Sequence, residues 1–425
     1  MPFVIHLLAL GIFAQGTSEF MLSGLLPGLA ADLGVSVPDA GLLISGFAVG
    51  MLLGAPVLAV ATLRLPRRAT LLGFQAVFVA GHVVGALAPG YATLLATRFV
   101  SAFAYAGFWA VAAATGVALV PPQHKARAIS VIAAGLSLAT VVGVPAGTLL
   151  AQHAGWRAAF WAVAGLNVIS MAAIAAFLPR SSDTGARERT LRGELAAFAR
   201  PRLWLAYGVT ALSCGAAIVT FSYLAALLAE VSGVPEGWVP AVLALYGVGA
   251  LVGLAVGGRT ADARPFATLG WGTGALALVS LALWLAAGNA AVAVALVFLL
   301  GLLGFVTNPA VQARVFTIAG DAPTLAGAVN TSAFNVGITL APMLGGFTID
   351  AGLGYASVGW VAAALAAAAL AASGAAALAE RRHRERASVP EAHPNSLPKN
   401  RTRGSIQREN PALDVCAASS ASNRG

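Results

Sequence analysis

Twelve apolar stretches, each long enough to cross a bilayer, recur along the chain and limit what it can fold into. They lie near residues 4–28, 39–62, 70–88, 91–119, 128–150, 157–178, 203–229, 239–257, 266–287, 290–311, 324–349 and 356–378, with polar breaks between them. A hydrocarbon core of about 30 Å takes roughly 20 helical residues, so each stretch suffices for one crossing. Long continuous runs point to helices rather than to the alternating segments of about ten residues that build a membrane barrel. Composition agrees, with 59% of residues hydrophobic and 10% charged, against about 25% charged in soluble domains. No basic stretch and no small-residue cleavage site precede the first run, so it reads as a retained helix rather than a signal peptide. Cys214 and Cys416 offer no disulfide framework.

The longest polar break, Pro179 to Arg202, divides the spans six and six. Gly46, Gly50 and Gly54 in the second span are answered by Gly249, Gly253 and Gly257 in the eighth. Each set places glycine on one helix face at every fourth position, which lets a neighbouring backbone come close. Asp32 before the second span is matched by Glu230 before the eighth. The expected fold is an all-α membrane protein with twelve transmembrane helices in two pseudo-symmetric six-helix bundles, residues 1–178 and 203–379. A linker, 179–202, joins them, and a disordered tail follows over 380–425. Arg64, Arg67, Arg68, Lys125, Arg127, Arg259, Arg264, Arg314 and the arginines of the linker fall on one side of such a bundle, and only Arg157 on the other. The positive-inside rule then puts both termini in the cytoplasm and the protein in the cell membrane. The net charge of +9 is spread over short loops, so it reads as a topology signal and not as a nucleic-acid surface.

Glu19 is the one acidic residue deep inside an apolar span. A charge at mid-membrane costs at least about 2.5 kcal/mol, so Glu19 is expected to face protein or a watery cavity, and such residues by default mark ion or proton pathways. Gln15 and Ser23 lie one helical turn to either side, forming a polar stripe with it. A protonated Glu19 that only ties two helices together is the plainer alternative. Arg98 is the one base within a predicted span, with Tyr105 and Trp109 on the same face. It serves either as a proton-coupling partner or as a structural tie, and as a permanent charge it needs acceptors close by. Tyr105, Trp109, Phe221, Tyr223 and Asn330, with Gln15, are candidate cavity residues. The aromatics suit lipid-facing packing equally well, and Asn335 and His82 suit helix contacts. No P-loop, nucleophile elbow, paired intramembrane carboxylates or His/Cys cluster is present in the sequence, which argues against an enzyme, an ATP-driven pump, a metal site or a cofactor.

The text FAQGTSEFMLSGLLPGLAADLGVSVPDAGLL (Phe13 to Leu43) resembles the drug:proton antiporters of the major facilitator superfamily, and most of all actinobacterial chloramphenicol-efflux proteins. LRLPRR (Leu63 to Arg68), which follows Gly54, resembles the family's loop between helices two and three. GVPAG (Gly143, Pro145, Gly147), followed by GWRAAFWAVAG, resembles the antiporter motif of helix five, and GITLAPMLGG, with Pro342, resembles its second-half copy. The family's loop commonly carries an aspartate where this chain has Leu63, whereas the second half keeps Asp262. The resemblance covers roughly residues 1–378 and implies proton-coupled efflux of a small hydrophobic drug, with chloramphenicol the best single candidate. The expected energy source is a proton gradient, with no cofactor, and the expected state is a monomer whose partners are drug, protons and the lipid bilayer. Export of a sugar or another metabolite, and a membrane sensor that moves nothing, are the alternatives.

The tail carries no apolar face that would dock it. A chain ended after Arg386 is expected to insert in the membrane and support resistance like the full chain; loss of either in a membrane-fraction blot or a drug panel would refute this.

Overall fold

In hydrocarbon a backbone must satisfy its own hydrogen bonds, so each apolar stretch becomes a helix. The computed structural model describes residues 2–62, 65–121, 124–179, 200–319 and 323–388, and among them there is no strand. The first six membrane-length helices are α1 (Phe3–Leu33), α2 (Val37–Ala61), α3 (Arg67–Ala86), α4 (Tyr91–Ala118), α5 (Arg127–Ala154) and α6 (Trp156–Phe177). The second six are α7 (Pro201–Ser222), α8 (Glu236–Ala261), α9 (Pro265–Ala286), α10 (Ala290–Ala319), α11 (Ala326–Leu353) and α12 (Ser357–Glu380). All twelve lie within one compact unit, Met1–Glu380.

Local chemistry sets the turns. Gly34 closes α1 in the left-handed region at φ 63°, which only glycine adopts without strain. Ser36 then caps α2 by accepting from the Asp39 amide at 3.1 Å while its hydroxyl donates to the Asp39 carboxylate at 2.7 Å. Beside this turn the Asp32 carboxylate accepts from Trp156 Nε1 at 2.9 Å and pairs with Arg157, which joins the end of α1 to the start of α6. At the opposite end Phe3 meets Phe177 edge-on, with ring centroids 5.5 Å apart. α1 and α6 are therefore antiparallel neighbours over their whole length.

Several helices run past the expected ends, among them the eighth, which takes in Arg259, and two run furthest. α10 continues to Ala319 and includes Arg314, which sequence placed in a loop. The Arg314 guanidinium lies 4.0 Å from the centre of the Phe266 ring and 3.9 Å from the Glu380 carboxylate, so a cation–π contact and an ion pair let the helix carry a base inward. The last helix continues to Ser388, over residues expected to belong to a disordered tail. Ala, Glu and Arg are strong helix formers, and basic residues suit a helix C-terminus. The rest of that tail and nearly all of the linker lie outside the described residues.

The glycine faces are tight contacts. A Cβ on Gly50 or Gly54 would meet the backbone carbonyl of Phe99 or Phe103 on α4, and one on Gly249, Gly253 or Gly257 would meet that of Phe298, Leu302 or Val306 on α10. The two sets of glycines and their partners are displaced by the same 203 residues, so the α2–α4 pair repeats as α8–α10. In α5 a wide turn at Ala139–Gly143 precedes Pro145. Proline has no N–H to offer the carbonyl one turn back, and the wide turn takes up that loss. Gly143 there lies against the Thr17 side chain of α1, Gly147 lies against Met21, and the Thr140 carbonyl reaches Gly247 of α8.

The bundles touch through α2 and α11, and through α5 and α8. Ser45 donates to the Thr339 carbonyl at 2.7 Å, and Ser332 donates to the Leu52 carbonyl at 2.8 Å. A methyl group at Gly50 or Gly253 lands on backbone that cannot move aside. Gly50→Ala and Gly253→Ala are thus expected to destabilise the purified protein by about 1–3 kcal/mol. Gly258→Ala, on the same α8 but facing open space, should be neutral or slightly stabilising. Equal melting temperatures for the three variants in detergent would count against these contacts.

Candidate functional site

α1 is the hub, in contact with α2, α4, α5 and α6 of its own bundle and with α7 and α8 of the other. Enclosure on so many sides explains how one helix holds Gln15, Thr17, Ser18, Glu19 and Ser23, all buried. The stripe expected from spacing divides in two. Glu19 and Ser23, with Phe20, line a cavity closed by Ile44 and Phe47 of α2 and, from the other bundle, by Ile218, Phe221, Ser222 and Ile338. Gln15 is off this lining and fully buried, and neither of its amide atoms has a partner among the described residues.

The cavity wall is aliphatic and aromatic. Its two hydroxyls are spent on their own helices, Ser23 on the Phe20 carbonyl and Ser222 on the Ile218 carbonyl. The Glu19 carboxyl is left as the one ionisable group on the wall. The remaining space has room for about one water molecule, well short of the 300 Å³ or more of a typical ligand pocket. The molecule is thus described in a form closed around Glu19.

Arg98 is 1% exposed and lies close enough to Glu19 to act on its charge, yet its hydrogen bonds go elsewhere. Nη1 donates to Ser18 Oγ at 2.6 Å and Nη2 to the Ser18 carbonyl at 3.0 Å, while the guanidinium lies 4.1 Å from the centre of the Phe47 ring. His82 Nε2 is also 2.6 Å from Ser18 Oγ, and its Nδ1 is 2.9 Å from the Phe78 carbonyl. A carbonyl only accepts, so Nδ1 carries the proton and Nε2 accepts from the Ser18 hydroxyl. Ser18 therefore accepts from Arg98 and donates to His82, which joins α1, α3 and α4 in one directed chain. Sequence reading placed His82 in a helix contact and did not single out Ser18. The available signal was Ser18's position beside Glu19 and the seven-residue spacing of Gln75 and His82 on one face of α3.

The other predicted residues are scattered. Tyr105 packs among Phe47, Phe78 and Trp109, with ring centroids 6.1–6.5 Å away. Phe221 lines the cavity and stacks on Tyr246 at 4.5 Å. Tyr223 lies off the cavity, where its hydroxyl donates to the Pro342 carbonyl of α11 at 2.7 Å and its ring fills the space left by Gly41 and Gly345. Asn330 accepts from Thr210 at 3.0 Å, and Asn335 donates to the Thr331 carbonyl of its own helix. Arg68 donates to the Ala175 carbonyl of α6, and Arg67 begins α3. Arg64 and the side chain of Asp262 lie outside what is described. Ile44, Phe47, Ile218, Ser222 and Ile338 were missed as lining, because hydropathy alone does not tell an aliphatic cavity wall from a lipid-facing surface. Among the described residues no three His, Cys, Asp or Glu side chains gather as a metal site would require.

Comparison with known proteins agrees with this architecture. The family model for the Major Facilitator Superfamily matches residues 8–333. A chloramphenicol resistance protein of Streptomyces lividans is 42% identical over 352 residues, which is 82% of this chain and 90% of that protein. The inner membrane transport protein YdhP of Escherichia coli is 37% identical, over 83% of this chain and 90% of its own length. The crystal structure of a bacterial homologue of the human lysosomal transporter Spinster, inward-facing and unoccupied, superposes with a TM-score of 0.71 at 16% identity, covering 88% of this chain and 95% of that one. Twelve membrane-length helices, a repeated α2–α4 and α8–α10 pair and a family match spanning both bundles lead to one conclusion: the chain belongs to the Major Facilitator Superfamily.

Proposed function

We propose that this transporter exports a small, mostly apolar compound in exchange for protons, with chloramphenicol or a related phenicol as the first substrate to test. The observation that carries the reading is the placement of Glu19, the single ionisable group on an apolar cavity between the two bundles. A single carboxyl suffices to bind a proton, whereas sodium wants several oxygen ligands. The similarity to a chloramphenicol resistance protein supports the substrate class. A sugar exporter would be expected to line the cavity with free amides and hydroxyls, and here the two serine hydroxyls are already engaged.

The mechanism follows from competition at one site. With both termini in the cytoplasm, rocking of the bundles exposes the cavity alternately to each side. Glu19 takes a proton while the cavity faces outward, and substrate displaces that proton when it faces inward. Arg98, anchored on the neighbouring Ser18, holds a positive charge near the carboxylate whenever Glu19 is deprotonated. For a neutral substrate, exchange against one proton moves a net charge. Each charge is worth about 2.3 kcal/mol per 100 mV, or roughly a fiftyfold gradient at about 1.4 kcal/mol per tenfold.

Inside-out vesicles with an inside-positive potential and equal pH on both sides are therefore expected to accumulate drug. Glu19→Gln should retain the fold and drug binding, because the amide resembles a protonated acid, yet lose driven uptake. The absence of potential-driven uptake by wild type, or undiminished uptake by Glu19→Gln, would remove Glu19 as the coupling group. Unchanged drug accumulation in expressing cells would favour a non-transporting sensor.

A further inference from the structure

Inside the first bundle a second polar feature runs alongside the cavity. On α1, Gly11 and Ser18 are seven residues apart, and on α3 so are Gln75 and His82, which is two helical turns on the same face. Both ends of this interval are held by contacts. At the upper end Ser18 bonds His82 and Arg98. At the lower end Gln75 Nε2 donates to Ser170 Oγ of α6 at 3.0 Å, and the same hydroxyl lies against Gly11. α6 runs opposite to α1, so Asn167, three residues before Ser170, rises from the lower level as Gln15 does from Gly11. Tyr105 of α4 reaches this middle level, since its hydroxyl is 3.5 Å from where a Cβ on Gly16 would lie.

All three levels carry unpaired polar atoms. Gln15, Gln75 and Asn167 are fully buried. Among the described residues no partner exists for Gln15 Oε1 or Nε2, Gln75 Oε1, Asn167 Oδ1 or Arg98 Nε. Buried polar groups are nearly always bonded, and where protein supplies no partner, ordered water does. One orphaned amide would be unremarkable, whereas Gln75 at the lower level, Gln15 and Asn167 at the middle one and Arg98 Nε at the upper define a path. The same register continued one turn below Gln75 meets Leu8, Leu71 and Ile174, all fully buried, which form an apolar layer.

We propose that a file of bound waters fills this seam and carries the proton from Glu19 toward the end where α1 begins, through the interior of the first bundle and apart from the substrate cavity. The amides hold the waters in line without exchanging protons themselves. Gln15, one turn from Glu19, is the link to the carboxyl. The ionisable groups facing the file are Glu19, His82, Arg98 and Tyr105. A proton released by Glu19 enters the file and one leaves below, with nothing consumed, when the layer of Leu8, Leu71 and Ile174 transiently wets. The file lets the proton that substrate displaces from Glu19 leave inward without passing the incoming drug in one narrow cavity.

The inference rests on the proton-exchange reading, and the test separates the two. In X-ray radiolytic labelling of the full chain in proteoliposomes, Phe78 and Tyr105 are expected to be oxidised despite their burial, as side chains beside bound water are. Protection of both overturns the file. In the same vesicles with an internal pH dye, chloramphenicol-driven proton flux should fall at least several-fold in Gln75→Met and in Asn167→Leu, with equilibrium chloramphenicol binding unchanged. Asn167→Ser, which restores a polar atom, should recover flux, and Ile174→Ser should leak protons without drug. Wild-type flux in both Gln75→Met and Asn167→Leu refutes the route while leaving the exporter intact. Absence of flux in wild type refutes both. Retained drug binding shows that each variant is folded.

Discussion

An ionisable side chain in the middle of a bilayer must be enclosed by protein, and the arrangement of this bundle follows from that demand on α1. Glu19 and Arg98 both sit where lipid would otherwise be. Arginine stays charged at any accessible pH, so Arg98 has to be given acceptors. It finds two on Ser18 and the face of Phe47. The Ser18 oxygen is shared with His82, whose tautomer the Phe78 carbonyl sets, so three helices are tied around one hydroxyl. Among the described residues Glu19 is thereby left without a hydrogen-bond partner, beside a guanidinium that is occupied elsewhere. That suits a group whose charge changes during a cycle better than a permanent ion pair would, because a buried pair costs a great deal to break.

The helix contacts are of two kinds, and the difference suits alternating access. Within each bundle glycine brings backbone onto backbone, over two successive turns at Gly50 and Gly54 against α4 and over three at Gly249, Gly253 and Gly257 against α10. Such surfaces cannot slide by a fraction of a turn. Between the bundles the polar contacts are single donors on carbonyls, Ser45 on Thr339, Ser332 on Leu52 and Gln152 on Glu236. Each is worth about 0.5–1.5 kcal/mol net, so a few of them can be exchanged as two stiff bodies rock. Tyr223, which sequence offered as a cavity residue, bonds the Pro342 carbonyl inside its own bundle and lies against Gly41 of the other. It fills the space over Gly41 and Gly345, where closure of the bundles buries it.

The twelve spans were legible in the sequence because hydropathy is a local property that needs no knowledge of neighbours. The single acid in the first span was legible for the same reason. The glycine faces could be read from spacing, and their partners, α4 and α10, follow once the two sets are seen as copies. The end of α10 was not legible, because Arg314 is carried within the helix by its contacts with Glu380 and Phe266, which lie on other helices.

What the sequence by itself determined is therefore the number of helices, their internal repeat and the presence of one coupling candidate, Glu19. Only the tertiary structure decided which polar atoms find partners. Spacing put Gln15 and Glu19 on one stripe, yet Glu19 opens to the cavity while Gln15 is buried away from it. Spacing also drew no attention to Ser18, although Arg98 and His82, from positions 80 and 64 residues away, both converge on it. A hydrogen bond depends on the level and rotation at which distant helices meet, and those are set by glycine contacts and capping turns far from the atoms that bond.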